Sequence, residues 1–282
     1  MNFDAGKPQH GWVTWALAVL VPSVSVSGVY WLLVYFVGWP FAFVWTVAVL
    51  YITLGFRQFS HHFTDIRDAL DAGDEQRARE LLAQWQQVDA SELPRSEIVR
   101  HVIEYSVLAA HRHVFGVLFW FSVPAAFGLG PGGAVFYRMS EFVARYWKYR
   151  SRTEAQPASA ALQGAAANAW NIVDWLPARA TALAFAVVGS FEDAVDCWRN
   201  YAQRFPNDND GVILAATSGA VNVRLGGESL RSNFSPNVPQ AFSASGAPVA
   251  DATESTPGRE AEIGHLRSIV GQHRHARDRR RC

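Results

Sequence analysis

Long apolar blocks alternate along this chain with polar stretches of helical periodicity. No charged side chain occurs from Gly11 to Phe56, a run more than twice as long as the roughly 20 residues that one transmembrane helix needs. The run predicts two spans, near residues 12–36 and 41–56, with a turn at Gly38-Trp39-Pro40. A buried helical hairpin of a soluble protein is the alternative, and the lack of any charged interruption disfavours it.

Residues 57–112 are polar and follow a helical period. Ile66 and Leu70 share one face of a first helix, and a second helix follows after a short break. Asp74 is expected to cap the second helix, and Ser96 is expected to cap a third. The pattern predicts a helical module beside the membrane, and Lys and Arg residues near the spans favour its cytoplasmic side.

The chain becomes apolar again at residue 114 and then turns basic and aromatic. Residues 114–147 predict either a re-entrant hairpin, bent at Pro124, or a single span. We expect the hairpin, because it returns the basic cluster at 138–152 to the cytoplasmic side. A small-residue linker then leads to a further membrane-entering segment near residues 170–190.

The expected fold is therefore an all-α, polytopic membrane protein with a cytoplasmic helical module. Residues 1–227 form the membrane domain and include the module. Residues 228–282 are rich in Ser, Pro, Ala and Gly, which predicts a disordered tail. The lipid bilayer is the expected partner, and the pattern predicts no particular oligomeric state.

Charge and short motifs exclude several classes of function. The chain carries 25 basic and 25 acidic residues, and a net charge of zero predicts no nucleic-acid partner. Its two cysteines cannot form a disulfide framework. No Walker A loop or nucleophile elbow occurs, and the close histidine pairs do not share a helix face, so no metal site is predicted at either pair.

A first candidate site lies at the threshold of the last apolar segment. Asp174, preceded by Asn171, stands where a helix N-cap is expected, and Pro177 then falls in the first turn. Arg179 would lie near the positive end of that helix, where a bound anion would offset its charge and accept free N–H groups. The alternatives are a local Asp174–Arg179 ion pair and an arginine that reaches lipid phosphates.

A second candidate site lies in the stretch from Pro206 to Gly227. The oxygens of Asn207, Asn209 and Asp210 could hold a cation or a phosphate-bound Mg²⁺. The alternative is a polar loop, followed by a helix of small residues that packs closely against its neighbours.

Several fragments, in this order, resemble one known superfamily. They are "ALDAGDEQRARELL", "EIVRHVIEY", "LFW", "VFYRMSEF", "VDWLPARATAL" and "GVILAATSGAVNVRLGG". They resemble the adenosylcobinamide-phosphate synthase (CobD/CbiB) family and its relative AmpE, an inner-membrane protein associated with β-lactamase regulation. The resemblance covers roughly Trp12 to Gly227.

The resemblance implies a polytopic protein of the bacterial inner membrane. It also implies amide formation between a corrinoid substrate, adenosylcobyric acid, and an aminopropanol, with ATP and Mg²⁺ as cofactors. In such a reaction the protein mainly positions the reactants and neutralises charge. Of the candidate site residues, Glu104, Arg179, Asn207, Arg224, Gly226 and Gly227 match the family pattern. With the residues of the two candidate sites above, the candidate catalytic residues are Glu104, Asp174 and Asp210, and the candidate substrate- or phosphate-binding residues are Asn171, Arg179, Asn207, Asn209, Arg224, Gly226 and Gly227.

The chain also departs from the synthase pattern. Leu108, Ala109 and Arg112 stand where the synthases carry acidic and amide residues, and Asp174 stands where they carry Asn. A second hypothesis is therefore an AmpE-like membrane sensor or regulator that keeps the fold and an anion site but needs no cofactor. A third is a membrane scaffold whose module, residues 57–112, binds a partner protein.

Overall fold

The computed structural model describes residues 8–86, 93–153, 159–205, 208–226 and 255–262, together with Gly264. This part of the chain is built from α-helices, without a β-strand. The helices are α1 (Pro8–Phe36), α2 (Trp39–Thr53), α3 (Phe56–Asp71), α4 (Glu75–Gln86), α5 (Arg95–Ala110), α6 (Gly116–Ala126), α7 (Gly132–Thr153), α8 (Ala160–Val188), α9 (Phe191–Tyr201) and α10 (Asp208–Val221).

The first of two compact units comprises Met1–Phe56 and Ala110–Ala178. In it, α7 packs along α1 and against α6, and α1 also contacts α2. Gly38 joins α1 to α2 with a φ of 113°, in the left-handed region that favours glycine, and Pro40 lies in the first turn of α2. The predicted turn between the two apolar helices is confirmed.

Three helical segments within the described residues are long and apolar enough to cross a membrane. They are His10–Phe36, Arg95–Ala126 and Ala160–Val188, whereas the apolar helix α2 is shorter. Many large apolar side chains on α1, α2 and the end of α8 are exposed, as is typical of helices that face lipid. The predicted all-α class, with helices that have the length and composition to span a membrane, is confirmed.

Helices α5 and α6 form one continuous segment, joined by a π-helical turn at His111–Phe115. The helix therefore runs through residue 112, where the sequence predicted the end of the polar module. After a turn in which Gly128 and Gly130 have positive φ, α7 returns against α6. Residues 114–147 thus form a hairpin, but its first arm is the end of a long helix instead of a short re-entrant segment.

Helix α8 begins at Ala160 and carries both Asp174 and Pro177 in its interior. The predicted helix start at Asp174 is therefore wrong, and so is the anion site at that start. The alanine-rich stretch before Asp174 favours a helix. Pro177 has no N–H for the carbonyl of Val173 four residues earlier, and the indole Nε1 of Trp120 donates to that carbonyl at 3.0 Å.

The two predicted caps of the polar module have different outcomes. Asp74 caps α4, because its Oδ1 accepts the backbone N–H of Arg77 at 3.0 Å. Ser96 does not cap α5. The helix begins at Arg95, so Pro94 occupies the N-cap position, and its carbonyl accepts the first helical bonds, from the N–H groups of Glu97 and Ile98 at 3.0 and 3.1 Å.

The second compact unit comprises Arg57–Ala109 and Arg179–Cys282. Helix α10 packs closely on α9, and a Cβ added to Gly219 would collide with the backbone of Asp193. The small residues of α10 thus serve close packing, as one of the two alternatives for this stretch predicted.

A short segment of the predicted tail, residues 255–262, folds back in this second unit. Val223 pairs with Arg259, and Gly226 pairs with Ser255, as isolated β-bridges. Thr256 and Ala261 are buried. The prediction of disorder is wrong for these residues, because the hydrogen bonds and burial hold them in place. The remaining tail residues, apart from Gly264, lie outside the described residues.

Candidate functional sites

A buried polar cluster in the first unit centres on Asp174. The hydroxyl of Tyr137 donates to Asp174 Oδ1 at 2.8 Å, and Nε2 of His111 lies 2.8 Å from the same oxygen. All three side chains are fully or almost fully buried. The other carboxylate oxygen, Oδ2, has no hydrogen-bond partner among the described residues. An ionisable cluster inside apolar helices costs free energy and is a candidate functional site for that reason.

Local backbone features position the two partners of Asp174. His111 is the first residue of the π-turn between α5 and α6, and such turns are frequent at functional sites. Gly116 leaves room for Tyr137, because a Cβ at that position would overlap the phenol ring. Sequence analysis did not predict a role for His111 or Tyr137, since the contacts join residues 63 and 37 positions apart.

A second cluster, in the second unit, joins two of the residues that the resemblance implied. Glu104 Oε1 accepts the backbone N–H of Gly226 at 2.7 Å, and the Nε atom of Arg100 lies 3.7 Å from that oxygen. Glu104 is buried, with 2% of its surface exposed. A buried carboxylate needs such donors to offset its lost hydration. Glu104 therefore anchors the loop that follows α10.

The backbone of this loop is held by the chain itself. The N–H of Arg224 donates to the carbonyl of Arg259 at 2.8 Å, and the N–H of Leu225 donates to Oγ1 of Thr256 at 2.8 Å. The N–H of Gly226 donates to Glu104, so the three successive backbone N–H groups of residues 224–226 all have acceptors within the chain. The Arg224 side chain is exposed.

A cavity in the second unit brings together two further predicted residues. Arg179 Nη1 donates to Oδ1 of Asn209 at 2.9 Å, and Arg179 lines a cavity of about 560 Å³. The other lining residues are Trp198, Arg199, Ala202, Gln203, Asp208 and Val212. Two guanidinium groups against one carboxylate make this lining net positive, which suits an anion.

The structure also locates the other residues that the sequence predicted. Asn171 is exposed on α8. Asp208 begins α10, so Asn209 and Asp210 lie in a helical turn instead of a loop, and both are buried. Asn207 and Gly227 lie outside the described residues. No group of three metal-binding side chains occurs in the described part of the chain.

Comparison with known proteins gives a consistent set of relatives. The family model described as CobD/Cbib protein matches residues 3–253. The cobalamin biosynthesis protein CobD of Stutzerimonas stutzeri is 31% identical over 227 residues, which cover 80% of this chain and 69% of the relative. No solved structure gives a significant match.

Two further relatives have the same name, cobalamin biosynthesis protein CobD. The protein of Chromobacterium violaceum is 35% identical over 181 residues, which cover 64% of this chain and 55% of the relative. That of Mycobacterium tuberculosis is 32% identical over 197 residues, which cover 67% of this chain and 58% of the relative. The chain thus spans little more than half the length of these two relatives.

Proposed function

The chain belongs to the CobD/Cbib protein family, and on that premise we propose that it performs a step of cobalamin biosynthesis as an integral protein of the bacterial inner membrane. The step is ATP-dependent amide formation between adenosylcobyric acid and an aminopropanol. The observation that carries the proposal is the cavity at Arg179. It lies at a motif that resembles the family pattern, and Asn209, a residue of the second candidate site, fixes the guanidinium group.

The lining of the cavity fits the phosphate groups of ATP. Arg179 and Arg199 would bind phosphate oxygens, because a guanidinium group keeps its charge and donates several hydrogen bonds. Asp208 would hold Mg²⁺, which proteins bind through one or two carboxylates together with substrate phosphates. When bound, ATP would supply the phosphoryl group that activates the corrinoid carboxylate.

The protein's own contribution is positional. Asn209 holds Arg179 in place through its side-chain oxygen, so the guanidinium loses little freedom when it meets an anion. Glu104 fixes the loop at Gly226. These roles are those of binding and orientation, which supply most of the catalysis in phosphoryl transfer.

Complementation of a cobalamin auxotroph that lacks the synthase tests the enzymatic proposal. We expect the unaltered chain to restore growth and Arg179→Ala to abolish it. Arg204→Ala is the matched control, because Arg204 stacks on the ring of Tyr201 and does not line the cavity. Failure of the unaltered chain to restore growth, while it accumulates in the membrane fraction, would reject the amide-forming role.

A second candidate function is that of an AmpE-like membrane regulator without catalysis. One observation favours it. Asp174, a candidate catalytic residue, is fully buried and is held by His111 and Tyr137, which is a structural role and not a catalytic one. In this role, deletion of the gene should change the induction of β-lactamase and leave cobalamin synthesis intact. Normal induction in the deletion strain would argue against the regulator.

A further inference from the structure

The second half of helix α7 presents an exposed face that combines aromatic and basic side chains. Phe142 and Tyr146 lie one turn apart and stack, with ring centroids 5.6 Å apart and ring planes inclined by 12°. The two residues are 57% and 42% exposed. Arg145 lies between them and is exposed, and so is Lys148 at the edge of the face. Val143, on the opposite side of α7, packs into the core of the first unit, so this face is the outer one.

The same part of the chain carries an excess of positive charge. Helix α7 contains five basic residues and one acidic residue, Glu141. Glu141 is buried and pairs with both Arg138 and Arg145. The side chain of Arg145 is 61% exposed although its Nη1 lies 3.1 Å from Glu141, so its other N–H groups are open to a second acceptor. The face therefore suits an anionic group.

The packing of α7 on α1 indicates where this face lies along the apolar helices. Gly132 lies against Ser27, whereas Phe136 packs edge-to-face on Trp15, so the two helices run antiparallel. Tyr146 follows Phe136 by about 15 Å along α7, whereas α1 extends only about 10 Å beyond Trp15 to its first residue. The exposed face thus lies at the end of an apolar helix, where the interior of a bilayer meets the headgroups.

We propose that this face binds the headgroup of an anionic phospholipid. The Arg145 guanidinium would meet the phosphate, because two parallel N–H groups can donate to two phosphate oxygens. The rings of Phe142 and Tyr146 would lie beside the upper part of the acyl chains, and Lys148 adds a second positive charge. An acidic protein segment would also satisfy the charge, but exposed aromatic rings at this level favour a lipid. The proposal shares with the proposed function only the location in a membrane.

Lipid retention by the full chain tests the proposal. The protein is purified in a neutral detergent and mixed with equal amounts of phosphatidylglycerol and phosphatidylcholine that have the same acyl chains. Native mass spectrometry then measures the bound lipids, and we expect phosphatidylglycerol to be retained in preference. Arg145→Gln should reduce this preference about fivefold, which is the effect of one basic residue near an anionic membrane. Arg145→Lys should give an intermediate value, because it keeps the charge but not the paired donors.

Two further variants make the result specific. Arg77→Gln is the matched control, because Arg77 is also exposed and pairs with Glu80 one turn away, but lies on α4 of the polar module. It should retain phosphatidylglycerol like the unaltered chain. Phe142→Ala should lower the retention of both lipids and leave their ratio unchanged, because the ring contacts acyl chains whatever the headgroup. Arg77, Arg145 and Phe142 are exposed, so we expect each variant to fold.

Several results would overturn the proposal. They are equal retention of the two lipids by the unaltered chain, an unchanged ratio in Arg145→Gln, and an equal fall in Arg77→Gln, which would indicate general attraction to positive charge. A fluorescent hexaglutamate peptide probes the alternative. Binding of this peptide that depends on Arg145, without a lipid preference, would assign the face to an acidic protein segment. The readout is lipid retention and not growth, so failure of the unaltered chain to complement would reject the enzyme and leave this proposal intact.

Discussion

Asp174 shows how the surroundings of one residue change its role. In the linear chain it stands before an apolar segment and resembles a helix cap. In the structure it is a carboxylate inside α8, and its Oδ1 atom meets the Tyr137 hydroxyl and the His111 ring. Burial of a carboxylate costs less free energy where other groups replace its water, and these two side chains do so at Oδ1.

The first prediction concerns this cluster. Asp174→Ala should lower the free energy of unfolding by about 1–3 kcal/mol, because it removes the carboxylate that accepts the hydrogen bond of the buried Tyr137 hydroxyl. Tyr137→Phe should cost less, and Asp174→Ala should cost less in the Tyr137→Phe background than alone. Unfolding in detergent, followed by fluorescence, measures all four proteins. If the loss of stability in the double variant equals the sum of the losses in the two single variants, the Tyr137–Asp174 hydrogen bond contributes nothing.

At the scale of elements, the helices continue where local rules predict an end. Pro177 removes one backbone donor from α8, yet the helix runs on to Val188. Trp120 of α6 offsets this loss by donating its indole N–H to the carbonyl of Val173. A neighbouring helix thus permits a proline that would disfavour the helix by about 3 kcal/mol on local propensity.

The second prediction tests that pairing. Trp120→Phe should destabilise the protein by about 1–3 kcal/mol, because it leaves the Val173 carbonyl unpaired in addition to removing apolar contacts. Pro177→Ala restores a backbone N–H for the same carbonyl. Trp120→Phe should therefore cost measurably less in the Pro177→Ala background, by thermal unfolding. An equal loss in both backgrounds would contradict this role of Trp120.

The third prediction concerns the folded segment of the tail. Thr256 Oγ1 accepts the N–H of Leu225 and lies 2.6 Å from Oγ of Ser218. Thr256→Val keeps the shape but removes this acceptor, so the Leu225 amide should exchange its hydrogen faster, by a factor of about ten or more. Thr256→Ser keeps the hydroxyl and serves as the control. Unchanged exchange in Thr256→Val would show that the segment does not protect the loop.

At the scale of the whole molecule, long apolar helices accompany a polar helical module. The exposed apolar side chains of α1 and α2 favour burial in lipid, whereas α3 and α4 carry many charged residues. The basic residues near the apolar helices favour a cytoplasmic position for the module. The module, residues 57–112, therefore stays a predicted cytoplasmic element.

The fourth prediction tests this orientation. A cysteine that replaces the exposed Gln84, in a chain with Cys282→Ser, should react with a membrane-impermeant maleimide in inverted vesicles but not in intact cells. Native Cys197 should stay unlabelled, because burial raises the pKa of its thiol, and Asp193 and Asp196 raise it further. A raised pKa leaves less reactive thiolate at neutral pH. Labelling of position 84 in intact cells would place the module outside the cytoplasm.

The sequence by itself determined what depends on local composition and periodicity. The uncharged run up to Phe56 predicted α1, α2 and their turn, because hydrophobic pattern and Gly-Pro chemistry act within a few residues. The Asp74 cap also follows from its neighbours, and the ordered fragments around Arg179 indicated the family.

Tertiary structure alone decided how distant residues combine. The His111–Asp174 contact joins residues 63 positions apart, and the bond from Gly226 to Glu104 joins residues 122 positions apart. Such contacts depend on the packing of whole helices, which no local pattern encodes. For the same reason, local pattern did not predict that Asp174 is a buried hydrogen-bond acceptor inside α8. Nor did it predict that Pro177 lies inside the same helix, where the indole N–H of Trp120 replaces the missing backbone donor.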